Sequence, residues 1–170
     1  TIVGYTGRHG FEKQLGDLID AVAAGSQDWS LVMAGEGPAT EELRERAADH
    51  GIDAYFLGFL DRSELASFYG AIDVFAFPSP VETQGLVALE AMASGTPVVG
   101  VEAGALAETI TPGETGYHYT PGQLEEFTSA IEQALQENDR LAATCLDRRA
   151  ELSVDRSIAE LTDIYQALGA

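Results

Sequence analysis

The chain is short of positive charge. It holds one lysine, Lys13, and nine lysines and arginines in all against 28 carboxylates, for a formal net charge of −19 over 170 residues. That balance excludes nucleic acid as a partner, because neutralising phosphates takes clustered Lys and Arg. It disfavours an anionic membrane surface for the same reason. Self-repulsion on this scale destabilises a compact fold in dilute salt. In molar salt the Debye length falls to about 3 Å and the repulsion is largely screened. An acid-rich, lysine-poor chain is therefore expected of a salt-accumulating halophile; the plainer alternative is an ordinary acidic protein.

Cysteine is almost missing as well. Cys145 stands alone, which excludes an intramolecular disulfide and a cysteine metal cluster and fits a reducing, cytoplasmic setting. Nothing in its surroundings lowers its pKa, so it reads as a packing residue rather than a nucleophile. No apolar run approaches the roughly 20 residues that span a bilayer. The first residues lack the basic start and cleavage site of a secretory signal. A chain opening directly on an apolar strand is expected to be a segment of something longer. With 45% hydrophobic residues its length suits one buried core and is short for two, so residues 1–170 are expected to form a single domain.

What is present is a periodicity that switches repeatedly between short apolar runs and amphipathic stretches. Strands are predicted at Thr1–Tyr5, Ser30–Ala34, Ala54–Leu57, Asp73–Phe77, Pro97–Val101 and Gly116–Tyr119. Helices are predicted at Phe11–Ala24, Thr40–His50, Arg62–Gly70, Gly85–Ser94 and Leu106–Ile110, with two or three more between Gln123 and Leu168. Asp61 and Ser63 read as helix-start residues. Strands alternating with helices predict an α/β fold with a doubly wound, Rossmann-like parallel sheet covered on both faces. Ligands of such sheets bind outside the carboxyl ends of the strands, so the residues just after each strand are the ones to read for chemistry.

After the first strand runs Gly7-Arg8-His9-Gly10-Phe11-Glu12-Lys13, which holds two of the nine cations, the sole lysine included. Arg8 and Lys13 beside a helix start form a site for an anion such as a diphosphate; read blandly, they are two surface charges. His9 could touch that phosphate or simply be solvated. After the fourth strand, Glu82 precedes a helix and Glu90 lies inside it. Eight helical residues would set them about 12 Å apart, roughly the span from a sugar to a ribose across a diphosphate. Gly85 would let backbone amides approach a ligand. Glu90, amid Leu89, Ala91 and Met92, sits where a carboxylate is costly without partners, and ribose hydroxyls are suitable ones. Standing alone, the two acids could as well be ordinary helix residues of a very acidic chain.

They do not stand alone. The run from Glu82 to Val99 (a glutamate, seven residues, a second glutamate, then Ala-Met-Ala-Ser-Gly-Thr-Pro-Val-Val) resembles the signature of glycosyltransferase family 4, retaining enzymes of GT-B architecture. Gly7 and Arg8 followed by Lys13, Gly35-Glu36-Gly37-Pro38, Phe56-Leu57-Gly58-Phe59-Leu60 and Gly113-Glu114-Thr115-Gly116 resemble four further motifs of that family in the same order. The resemblance spans essentially the whole chain. It implies the C-terminal, donor-binding half of a GT-B enzyme whose N-terminal acceptor domain is absent. It also implies a UDP- or GDP-linked sugar as donor, with no cofactor. By the same resemblance Arg8 and Lys13 neutralise the diphosphate and Glu82 holds sugar hydroxyls. The amides of Gly85, Leu86 and Val87 approach sugar and phosphate oxygens, Glu90 holds the ribose, and the backbone near Phe59 and Leu60 receives the base. Gly7, Gly35 and Gly37 complete the expected donor site. No Asp-x-Asp motif occurs, in keeping with leaving-group stabilisation that does not use a metal.

Three positions depart from the family pattern. The usual aromatic before Gly85 is Gln84, the glycine expected after the lysine is Gln14, and Gly104-Ala105 stands for Gly-Gly. The Glu-Thr-Gln-Gly-Leu form resembles a branch that glucosylates diacylglycerol, which makes a lipid one reading, and a glycan such as a polysaccharide precursor another, of an acceptor the sequence leaves unspecified, with any membrane attachment left to the absent half. Competing readings are a GT-B-type epimerase or phosphorylase, and a nucleotide-binding module without chemistry. Thr6-Gly7-Arg8-His9-Gly10-Phe11 also partly matches the dinucleotide loop of extended short-chain dehydrogenases, but those enzymes need a Tyr-x-x-x-Lys pair, and Lys13 cannot supply one.

Overall fold

A computed structural model describes residues 1–26 and 28–168. Six parallel strands form one sheet in the order β3-β2-β1-β4-β5-β6. The strands are β1 (Ile2–Thr6), β2 (Ser30–Ala34), β3 (Asp53–Gly58), β4 (Val74–Phe77), β5 (Val98–Val101) and β6 (Gly116–Tyr119). The helices are α1 (Leu15–Ala24), α2 (Thr40–His50), α3 (Arg62–Ala71), α4 (Leu86–Ala93), α5 (Leu106–Thr109), α6 (Leu124–Gln136), α7 (Asn138–Asp147) and α8 (Val154–Ala167). This is the expected Rossmann-like, doubly wound α/β fold. Right-handed crossovers to either side of β1 put helices on both faces, and every residue of β4 and β5 is buried, as central parallel strands require.

The strand order reverses between β1 and β4, and in such sheets that crevice is where ligands lie. Beneath it sits an aromatic cluster. Tyr5 stacks on Phe75 at 6.2 Å, and Phe75 meets Phe77 and Tyr69 edge-on at 5.7 and 5.8 Å. A rigid floor thus carries the loops after β1 and β4.

Several boundaries differ from the sequence reading. The helix expected over Phe11–Ala24 is two pieces, a 3-10 turn (Phe11–Lys13) and α1, broken at Gln14 with φ 53° and ψ 34°. Left-handed backbone costs a residue with a Cβ about 1–2 kcal/mol. Gln14 is the only non-glycine with positive φ among the described residues, so the family's usual glycine is explained by geometry. The run from Gln123 to Leu168 is α6, α7, a second 3-10 turn (Arg149–Leu152) and α8. Strand β1 lies one residue later than expected, β3 extends one residue at each end, and β4 and β5 each start one residue later. Asp61 does open α3: its carboxylate accepts from the Ser63 and Glu64 amides at 2.8 and 2.9 Å, and the Glu64 carboxylate accepts from the Asp61 amide at 2.7 Å. Trp29 is buried at the core edge. Cys145 is buried among apolar neighbours, and burial pushes its thiol up to about 11, so it packs rather than reacts. No helix among the described residues is long and apolar enough to cross a membrane.

Candidate functional site

The loops at the carboxyl ends of β1, β2 and β3 enclose a pocket of about 380 Å³, within the range of small-molecule sites. Six of the expected site residues line it: Gly7, Arg8, Gly35, Phe59, Leu60 and Val87. They come from the loops after β1, β2 and β3 and from α4, which the sheet alone brings together. Phe59 is 84% exposed, an aromatic face presented at the pocket mouth where a flat ring could lie against it.

Lys13 and Glu82 meet at the switch point. They form a direct ion pair, with only 18% and 16% of their side chains exposed. Arg8 pairs with Glu12, a neighbour the sequence reading passed over, in a more open setting. Both expected anion-binding cations are therefore held by carboxylates. An exposed pair such as Arg8–Glu12 is worth about 0–1 kcal/mol, so a diphosphate can displace Glu12 at little cost. Lys13 sits where water is scarcer, and its charge counts for more.

Glu82 lies outside the helix, since α4 starts only at Leu86. The 12 Å helical spacing from Glu82 to Glu90 is thus corrected: only the second half of that stretch is helical. Gly85 takes the left-handed conformation, φ 62°, that starts α4. The amides of Gly85, Leu86 and Val87 sit at the helix end, where the first amides have no intrahelical acceptor. The Glu82 carbonyl accepts from the Ala105 amide at 3.2 Å. So Gly104-Ala105, the segment that stands for the family's Gly-Gly, braces the glutamate from behind.

Glu90 corrects another expectation. Its helix neighbours Ala91 and Met92 are buried, but Glu90 itself is exposed. It lines a second hollow that shares Leu65 with the first pocket. Its partner is the Tyr69 hydroxyl, which donates to it at 2.9 Å, a role no motif of the sequence signals. The Tyr69 ring is buried in the aromatic cluster and only its oxygen reaches the site. Burial and the neighbouring carboxylate push the phenol's pKa far above its ordinary value, which keeps it a donor.

His9 is neither a phosphate contact nor solvated; it is fully buried. Its Nδ1 pairs with the Thr40 hydroxyl at 3.0 Å, its amide donates to the Glu36 carbonyl at 3.0 Å, and its carbonyl accepts from the Ala39 amide at 3.0 Å. A Cβ on Gly37 would lie 2.4 Å from that same carbonyl. Gly37, expected at the ligand, lets the loop after β2 close on the loop after β1. Burial, with the Arg44 charge adding to it, holds the His9 pKa below its ordinary 6.5. The neutral ring is thus preferred in the fold. The stability this group contributes is present above pH 6.5 and is lost as pH falls through that value and the lower folded one. Proton NMR is expected to show His9 titrating below the ordinary histidine range, alongside a falling unfolding free energy. A midpoint at or above 6.5 contradicts the buried, neutral placement. His50 is exposed and pairs with Asp20 at 3.0 Å, and the His118 ring pairs with the Leu106 carbonyl at 3.0 Å.

The chain matches the family described as Glycosyl transferases group 1 over residues 1–150. It is 36% identical over 141 residues to the sulfoquinovosyl transferase SQD2 of Arabidopsis thaliana, covering 81% of this chain and 27% of that protein. It is 37% identical over 152 residues to a GDP-mannose-dependent alpha-(1-6)-phosphatidylinositol dimannoside mannosyltransferase of Mycobacterium tuberculosis, covering 87% of this chain and 39% of that one. Among solved structures it superimposes on Anabaena HepE in complex with UDP and glucose. That match has a TM-score of 0.84 and 26% identity over 99% of this chain and 48% of the other. The C-terminal domain of the group 1 protein LpcC of Francisella tularensis matches at TM-score 0.80 and 28% identity, over 90% of this chain and 86% of that one. The chain spans less than half the length of the two curated relatives.

Proposed function

Because the chain belongs to the group 1 glycosyl transferases, we propose that it is the donor-binding half of a retaining, family 4 hexosyltransferase of GT-B architecture. One observation carries this reading: Lys13 and Glu82, 69 residues apart, converge at the sheet's switch point beside a pocket lined by Gly7, Arg8, Gly35, Phe59, Leu60 and Val87. In this reading a nucleoside-diphospho-sugar lies across the crevice, base against Phe59 and Leu60, ribose toward Glu90, diphosphate on Arg8, Lys13 and the first amides of α4. Glu82 turns its carboxylate to the sugar hydroxyls. When the bond from the anomeric carbon to the diphosphate breaks, its electron pair stays on the leaving oxygen, where Lys13 and Arg8 meet the added charge. The acceptor oxygen forms the new bond and gives up its proton. The solved complex of HepE with UDP and glucose supports a UDP-linked donor, and the mannosyltransferase relative supports a GDP-linked one.

The acceptor belongs to a second domain. The outer face of α8 supports that: Ile158, Leu161, Ile164, Tyr165 and Leu168 are each more than half exposed and fall along one stripe of an amphipathic helix. A lipid acceptor is the reading we favour, supported by the Glu82-to-Leu86 motif and by the relative named for phosphatidylinositol dimannoside. In calorimetric titrations UDP or GDP is expected to bind this chain more tightly than the free nucleoside. Sugar transfer is expected only from a protein that also carries the second domain. Absence of binding by either nucleotide, or turnover by this chain alone, overturns the assignment.

The charge of −19 supports a cytoplasm at high salt as the working environment. Thermal unfolding is expected at a clearly higher temperature in molar KCl than in dilute buffer, because screening relieves the repulsion. Equal midpoints would remove the halophile reading.

A further inference from the structure

Seven of the nine cations lie within 4.0 Å of a carboxylate. Among the described residues, the two that do not are Arg62, the first residue of α3, and Arg149, the first of the 3-10 turn after α7. Neither makes a side-chain hydrogen bond, and both line the same hollow, the one that also holds Glu90. In a chain with 28 carboxylates an arginine readily finds an acidic partner, and most here have one. That the two exceptions meet at a single concavity points to a partner from outside the chain.

The hollow's chemistry narrows that partner. Two guanidinium forks against one carboxylate leave a net positive lining, and guanidinium favours planar, multidentate contact with oxyanions. The Tyr69 hydroxyl and the Ser94 hydroxyl are committed to the Glu90 side chain and carbonyl at 2.9 Å each, so the arginines are the available donors. A volume of about 210 Å³ falls below that of whole-ligand pockets and suits one small group. Arg62 and Arg149 are exposed, so the group arrives from solvent.

We propose that this hollow, between α3, α4 and the Arg149–Leu152 turn, is a second anion site that takes one phosphate-type oxyanion between Arg62 and Arg149. It adjoins the nucleotide pocket through Leu65 and shares Glu90 with the proposed donor site, but it uses neither Arg8 nor Lys13, so anion binding there is separable from binding at the diphosphate subsite.

The test is calorimetric titration with inorganic phosphate and, separately, with glycerol 3-phosphate. Both are run at constant ionic strength on protein saturated with whichever nucleoside diphosphate it binds, so that the diphosphate subsite is blocked. If it binds neither nucleotide, the protein is used alone. At least one of the two probes is expected to bind, and the tighter one identifies a free ion or a monoester as the source. The combined Arg62→Gln, Arg149→Gln variant is expected to lose about tenfold or more in that affinity, with nucleotide affinity within twofold and an unchanged thermal midpoint. Arg44→Gln, an exposed arginine on α2 outside the hollow's lining, is expected to leave the affinity for either probe unchanged. Failure of both probes to bind, an undiminished affinity in the double variant, or competition between phosphate and the nucleotide overturns the site.

Discussion

Replacing Lys13 with alanine is expected to weaken binding of a nucleoside diphosphate by about 10- to 100-fold and to leave free nucleoside binding nearly unchanged. A hydrogen bond to a charged group is worth about 1.5–3 kcal/mol, and the Lys13 ammonium, only 18% exposed, is poorly replaced by water. Lys13→Arg keeps the charge but not the compact ammonium, and is expected to recover part of the loss. The variant also leaves Glu82, 16% exposed, without its partner, so a modest loss of stability accompanies the loss of affinity. Glu82→Gln in the same background separates the two effects: it is expected to restore the thermal midpoint and not the diphosphate affinity. A loss that falls equally on nucleoside and diphosphate would mean that Lys13 supports the fold rather than the ligand.

Gly35→Ala is expected to destabilise the chain by about 3 kcal/mol, from overpacking and positive-φ strain. That lowers the thermal midpoint by about 6–12 °C for a chain of this size. A Cβ there would sit 2.0 Å from the Gly7 carbonyl oxygen, at φ +108°. Neither side can yield. The Gly35 amide donates to the Gly58 carbonyl at 2.7 Å and the Gly7 amide to the Ala34 carbonyl at 3.1 Å, so a methyl group would wedge apart the ends of β1, β2 and β3. Those ends line the pocket, and nucleotide affinity should fall with stability even well below the melting transition. Gly51→Ala is the control: φ is +66° but nothing lies within 4 Å, so only the backbone term remains. Equal midpoints for the two variants would show that the contact with Gly7 is not rigid.

Much of this was legible in the residue order. Short apolar runs are buried strands because a parallel sheet covered on both faces has no polar side, and all six strands were placed within a residue of their observed ends. Of the motif residues after β1, β3 and β4, Gly7, Arg8, Phe59, Leu60 and Val87 line one pocket, while Glu90 lines the adjoining hollow. What was not legible came from contacts between distant residues. A helix read through Phe11–Ala24 broke at Gln14, where the chain turns to lay the loop after β1 on the loop after β2. His9, polar and next to an arginine, ended fully buried, with Thr40 pairing its Nδ1 and the Glu36 and Ala39 backbone pairing its own amide and carbonyl, while its Nε2 is left without a partner among the described residues.

Residue order by itself determined the class of the fold, the strands and most of the helices, since each depends on periods of two to four residues along the chain. Only the folded chain decided how the loops after those strands combine: that Lys13 faces Glu82, that Arg8 rests on Glu12, that Glu90 looks outward to Tyr69, and that Arg62 and Arg149 are left without a carboxylate. Ion pairing depends on distances of a few ångströms between groups tens of residues apart. No local pattern encodes those distances, because the sheet order, and not the spacing in sequence, brings the ends of β1 and β4 together.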